Sequence, residues 1–103
     1  MFSDRMKRSH DIAKEIHDQL LKTAEAIPDF DSEFDPQIRT ADERFGDFQA
    51  NGTLPFAKKK QLNPRELAQT LIDALPENKD WEVSLAGPGF INFKLSSTCL
   101  YQL

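Results

Sequence analysis

The sequence predicts an α+β fold: a two-layer domain in the order helix, strand–strand, helix, strand–strand, with the helices on one face of a small, mostly antiparallel sheet. Three observations predict it. The N-terminal segment carries apolar residues at helical spacing, the middle holds a well-capped helix, and two alternating segments flank a Gly-Pro-Gly break. Helices gathered on one side leave the other sheet face free to bind something.

From about Met6 to Ala26, the residues Ile12, Ile16 and Leu20 recur at every fourth position, with Leu21 and Ala24 beside them. That is one stripe of an amphipathic helix, with charged residues on the other side. Ser9 or Ser3 caps its start and Pro28 ends it. Asp29 to Pro36 reads as a loop from its Asp, Ser and Pro content. Gln37-Ile38-Arg39-Thr40 is a first short strand and Phe45 to Asn51 a second, with Asp42 to Arg44 turning between them. Thr53 is placed to cap a short helix reaching about Leu62. Pro55 is tolerated in its first turn, where amides have no helical acceptor. The clearest local signal follows: Asn63 at an N-cap, Pro64 at the first helical position and Glu66 completing a capping-box pattern. Leu67, Leu71, Ile72 and Leu75 give this helix its buried face, and Pro76 stops it. Trp81 to Ala86 alternates as a strand with Trp81, Val83 and Leu85 on one side, Gly87-Pro88-Gly89 breaks the chain, and Phe90 to Leu95 is the final strand.

A chain of 103 residues, 39% hydrophobic and 29% charged, makes one domain with a single modest core. Its apolar runs are a few residues long, and the N-terminus lacks a secretory apolar stretch, so a cytoplasmic protein with no membrane partner is expected. Cys99 has no second cysteine to pair with and is a bystander thiol. The net charge of −4 and pI near 5.1 argue against an autonomous, tight binder of nucleic acid, and no DNA partner is expected. The charge is unevenly spread. Asp29, Asp31, Glu33 and Asp35 form an acidic connector, and Lys58, Lys59 and Lys60 a basic run. A domain that touches RNA at one edge, assisted by a larger partner, fits this distribution.

In the last strand, alternation puts Ile91, Phe93 and Leu95 on the core face and Phe90, Asn92 and Lys94 on the open face. An aromatic, an amide and a cation in a row supply stacking, base-edge hydrogen bonding and phosphate attraction, the chemistries that read unpaired RNA. The plainer reading has Phe90 folded over the sheet edge and Lys94 a solubilising charge. Regular geometry over residues 47–51 puts Asp47, Gln49 and Asn51 on one face and Phe48 on the other. Phe48 then belongs to the core unless the strand ends or bulges near Ala50, where Asn51-Gly52 supplies a turn signal. Lys58, Lys59 and Lys60 are either phosphate contacts or a solvated helix face.

Three blocks stand in fixed order: Phe45-Gly46-Asp47-Phe48-Gln49-Ala50-Asn51-Gly52, then Asn63-Pro64-Arg65-Glu66-Leu67-Ala68, then Ala86-Gly87-Pro88-Gly89-Phe90-Ile91-Asn92-Phe93. Together they resemble the N-terminal additional domain of arginyl-tRNA synthetase, from the first helix to about Leu95. The resemblance implies the same two-layer fold for residues 1–103, and contact with the elbow of the tRNA, including an unpaired D-loop base. It carries that role to Gln49 and Asn51 first and then to Phe48. Its implied partners are an arginine tRNA and a catalytic domain of the same polypeptide. The parent enzyme would use ATP, with Mg²⁺, and arginine to charge the tRNA.

This chain carries no catalytic constellation of its own. His10 and His17 lie seven apart on one helix, but two imidazoles without a third ligand make no convincing metal site. Gly87-Pro88-Gly89 lacks the Lys and Ser/Thr of a phosphate-binding loop and no helix follows it. The His-Ile-Gly-His type of signature that binds ATP phosphates in class I synthetases does not occur, nor does an anticodon-binding domain, so the chain is expected to be inactive alone and to need no cofactor. Two functions compete: a tRNA-positioning module, or a packing domain whose open face docks on the synthetase body with little RNA recognition.

Overall fold

The computed structural model describes residues 7–41, 47–96 and 101–102, with side chains described within 11–96 of that set. A two-residue strand, β1 (Lys7–Arg8), leads into helix α1 (Ser9–Glu25), whose Ile12, Ile16 and Leu20 are fully buried, as their fourfold spacing requires. The connector then reaches β2 (Ile38–Thr40) and β3 (Phe48–Ala50). The Asp42–Arg44 turn and the Phe45–Gly46 start of the second strand lie outside the described residues, as does Cys99.

Helices α2 (Thr53–Lys59) and α3 (Pro64–Ala74) follow, then the hairpin β4 (Trp81–Ala86) and β5 (Phe90–Leu95), and finally β6 (Tyr101–Gln102), which pairs in parallel with β1. The main sheet has the order β2-β3-β5-β4, with every neighbouring pair antiparallel. The core unites Ile12, Ile16, Leu20 and Ala24 of α1, Phe56 and Ala57 of α2, and Leu67, Ala68 and Leu71 of α3. They meet Phe48, Ala50, Trp81, Ile91 and Phe93 on the sheet. The expected helical layer on one face of a small antiparallel sheet is therefore present. Among the described residues, no helix is long and apolar enough to cross a membrane.

Asn63 caps α3 as its sequence indicates: its Oδ1 accepts from the Glu66 amide at 3.0 Å, with Pro64 in the first turn. Helix α2 differs from expectation at both ends. Its N-cap is Gly52, not Thr53, and no side chain caps it. The cause is a close approach of backbones. The Gly52 amide donates to Pro36 O at 2.9 Å, and a Cβ on Gly52 would collide with the Asp35 carbonyl. The chain therefore enters the helix with Thr53 already inside and 1% exposed. At the other end Gln61 takes a left-handed φ of 61°. The Leu62 amide donates to Ala57 O at 2.8 Å and the Gln61 amide to Lys58 O at 3.2 Å. This pair of bonds closes a helix terminus that glycine usually makes, so no residue before Leu62 signals the stop.

Candidate nucleic-acid interface

The two central strands place the polar signature residues. Phe48 lies opposite Phe93, Gln49 opposite Asn92 and Ala50 opposite Ile91. Because side chains alternate, Phe48, Ala50, Ile91 and Phe93 point into the core, and Gln49 and Asn92 share the other face. There the Gln49 Nε2 donates to Asn92 Oδ1 at 2.7 Å. Each amide spends one group on the other and retains further donors and an acceptor, which suits the pair to a base edge that offers both. Asn92 is buried at 8% exposure, so the half-buried Gln49 is the more accessible of the two amides.

Register extends this pair into a row across all four strands. Arg39 of β2 lies opposite Gln49, and Ser84 of β4 opposite Asn92; both are exposed. Glu82 and Lys94 face each other one step along the same side, also exposed. Phe90 is half-buried at the start of β5. Its ring lies beside the turn, where a Cβ on Gly87 would touch Cδ2 at 3.6 Å. The turn itself is clamped: the Arg65 Nη1 donates to Gly87 O at 2.5 Å, and Gly89, at φ 137°, sits so close to Pro64 that a Cβ would come within 2.9 Å of its carbonyl oxygen. The Asn63-Pro64-Arg65 block and the Gly87-Pro88-Gly89 block thus meet in space, at the turn beside which the Phe90 ring lies.

Other expected contacts fall elsewhere. Phe48, carried by the resemblance to the RNA contacts, takes its other alternative and is corrected to a core residue: β3 stays regular through Ala50, and at 2% exposure opposite Phe93 the ring presents no face to a ligand. Asn51 follows the end of β3 and is half-buried. Its amide donates to Gln37 O at 3.1 Å, and its Oδ1 is buried without a hydrogen-bond partner among the described residues. Lys58, Lys59 and Lys60 end α2, in the helical layer, and do not share a sheet face with the amide pair.

Two of those lysines are already engaged by the acidic connector. Lys59 Nζ lies 2.6 Å from Glu33 Oε1, and Lys60 Nζ lies 2.7 Å from Asp31 Oδ2 and 3.5 Å from Glu33 Oε1, while standing over the Phe56 ring at 5.6 Å. The hydrogen bond from Lys60 holds the Asp31 carboxyl below its ordinary pKa, that from Lys59 does the same for Glu33, and Asp31 raises Lys60. The opposite charges of the two segments were visible in the sequence, but their pairing depends on the fold.

Sequence reasoning missed Arg39 and Ser84. Alternation along Gln37–Thr40 could have set Arg39 apart from Ile38, but only the register puts it beside Gln49. His17 is partly exposed, with Nδ1 3.2 Å from Asp18, and the His10 side chain lies outside the described set. Among the described residues, no three His, Cys, Asp or Glu side chains gather as a metal cluster.

The family model described as the arginyl tRNA synthetase N terminal domain matches residues 7–95 of this chain. The chain belongs to that family. An arginine–tRNA ligase of Crocosphaera subtropica is 45% identical over 94 residues, covering 86% of this chain and 15% of that protein. One from Laribacter hongkongensis is 43% identical over 84 residues, covering 79% and 14%. This N-terminal domain therefore spans about 15% of the length of the curated relatives it matches. Among solved structures, it superposes on arginyl-tRNA synthetase from Plasmodium falciparum with a TM-score of 0.71 at 22% identity, over 88% of this chain and 17% of that one. For the Thermus thermophilus arginyl-tRNA synthetase the TM-score is 0.69 at 20% identity, over 82% and 14%. These likenesses establish that the fold is shared.

Proposed function

We propose that this domain contacts an unpaired base at the elbow of an arginine tRNA, and so helps to position that tRNA for ATP-dependent arginylation by a parent arginine–tRNA ligase. The observation that carries the reading is the Gln49–Asn92 amide pair, prearranged on the sheet face that the helices leave uncovered, with Phe90 farther along β5. Amides match base edges, and an aromatic ring beside them offers stacking. The domain's contribution is orientation rather than bond chemistry. In this reading ATP, Mg²⁺ and arginine are handled in the cytoplasm by a catalytic domain of the same polypeptide, and no residue here is assigned to them.

One observation favours the competing reading, in which the open face packs on the synthetase body: Lys59 and Lys60 are already neutralised by the connector. A binding titration separates the two. The chain is titrated with a transcript of an arginine tRNA, and with a transcript carrying a substituted D-loop base, at two salt concentrations. The tRNA reading expects weak, salt-sensitive binding that falls for the substituted transcript, with the difference erased by Gln49→Ala or Asn92→Ala. Equal binding of both transcripts, insensitive to those substitutions, moves the domain to the packing class.

A further inference from the structure

The geometry points to Arg39 as the phosphate contact of this interface, in place of the lysine run at 58–60; the inference rests on the RNA reading of the open face. Arg39 lies directly opposite Gln49 in the β2–β3 register, on the face that carries Asn92. Its neighbour Ile38 packs against the core, so alternation sends Arg39 the other way. Adjacent strands are about 5 Å apart, so the row Arg39, Gln49, Asn92 crosses the sheet in steps that suit one nucleotide laid across the strands. Its base would rest on the β3–β5 amide pair and its phosphate over β2.

Position separates Arg39 from Lys58, which ends α2 in the helical layer, and engagement separates it from the cations that follow. Lys59 and Lys60 must each release a carboxylate before taking a phosphate, and they stand in the helical layer. Lys94 faces Glu82 across the hairpin, so its field is partly cancelled. Arg65 is committed to the Gly87 carbonyl. Arg39 is exposed and forms no ion pair among the described residues. A guanidinium also suits the task, because its planar fork can hold a phosphate by two parallel N–H bonds, whereas an ammonium acts as a point charge.

The test measures affinity for the same two transcripts across a salt series, for the unaltered chain, Arg39→Gln, Arg39→Lys, and the double variant Lys59→Ala/Lys60→Ala. Loss of one phosphate contact lowers the slope of log affinity against log salt by about one, and weakens binding uniformly across sequences. Arg39→Gln is expected to show that loss equally for both transcripts while leaving their ratio intact. Arg39→Lys restores the slope, and the lysine double variant keeps it. A slope unchanged in Arg39→Gln, or lost instead in the lysine variant, overturns the assignment while the base preference still stands. If the unaltered chain does not tell the transcripts apart, the RNA reading fails and the role of Arg39 falls with it.

Discussion

Gln49 and Asn92 lie 43 residues apart in sequence yet face each other across the two central strands, joined by a 2.7 Å bond from Gln49 Nε2 to Asn92 Oδ1. Each fixes the other, so substitution of one should be felt through both. Gln49→Ala and Asn92→Ala, alone and together, are expected to show a coupling of about 0.5–1.5 kcal/mol in a double-mutant cycle of urea unfolding. Strict additivity would mean that the two amides act independently.

The two phenylalanines of the candidate set should behave oppositely. Phe48→Ala opens a cavity against Phe93 and should cost about 3–5 kcal/mol of stability. Phe90→Ala removes a half-buried ring beside the Gly87 turn and should cost only about 1–2 kcal/mol. Thermal and urea unfolding of both variants check this; equal losses would contradict the assigned burial.

Gly52→Ala tests the contact that displaces the start of α2. The added methyl would run into the Asp35 carbonyl, which belongs to backbone and cannot swing aside. A loss of about 3 kcal/mol or more is expected. Asn63→Ala, which removes the α3 cap, should cost about 1 kcal/mol. Reversal of that order in the same denaturation assay would show that the 35–52 contact gives way easily.

The tie between the acidic connector and α2 should be pH-dependent. The folded pKa values of Asp31 and Glu33 are lowered by Lys60 and Lys59, so this contribution is fully present above the ordinary carboxylate values of 3.8 and 4.5. It is lost as pH falls through the lowered folded values. Both carboxyls are exposed, so the effect should be small and screened by salt. Carboxyl carbon shifts followed by NMR should give midpoints for Asp31 and Glu33 below those ordinary values, rising in Lys60→Ala and Lys59→Ala respectively. Unmoved midpoints in those variants would show that the pairs do not persist in solution.

Whatever depends on local physics was legible in the order of the residues. Fourfold apolar spacing fixed α1, Asn63-Pro64-Arg65-Glu66 fixed the start of α3, and alternation around Gly87-Pro88-Gly89 fixed the β4–β5 hairpin. It also assigned the faces of β5 correctly, because a period of two has only two solutions. Whatever depends on non-local pairing emerged only with the packed fold. Among these are the Gln49–Asn92 bond, the place of Arg39 beside it, and the capture of Lys59 and Lys60 by Glu33 and Asp31. Gly52 as helix cap and Gln61 as helix stop belong with them. The physical reason is the same in each case: strand register and backbone approach are set by packing between segments distant in sequence, and no local pattern encodes which residue will stand opposite which.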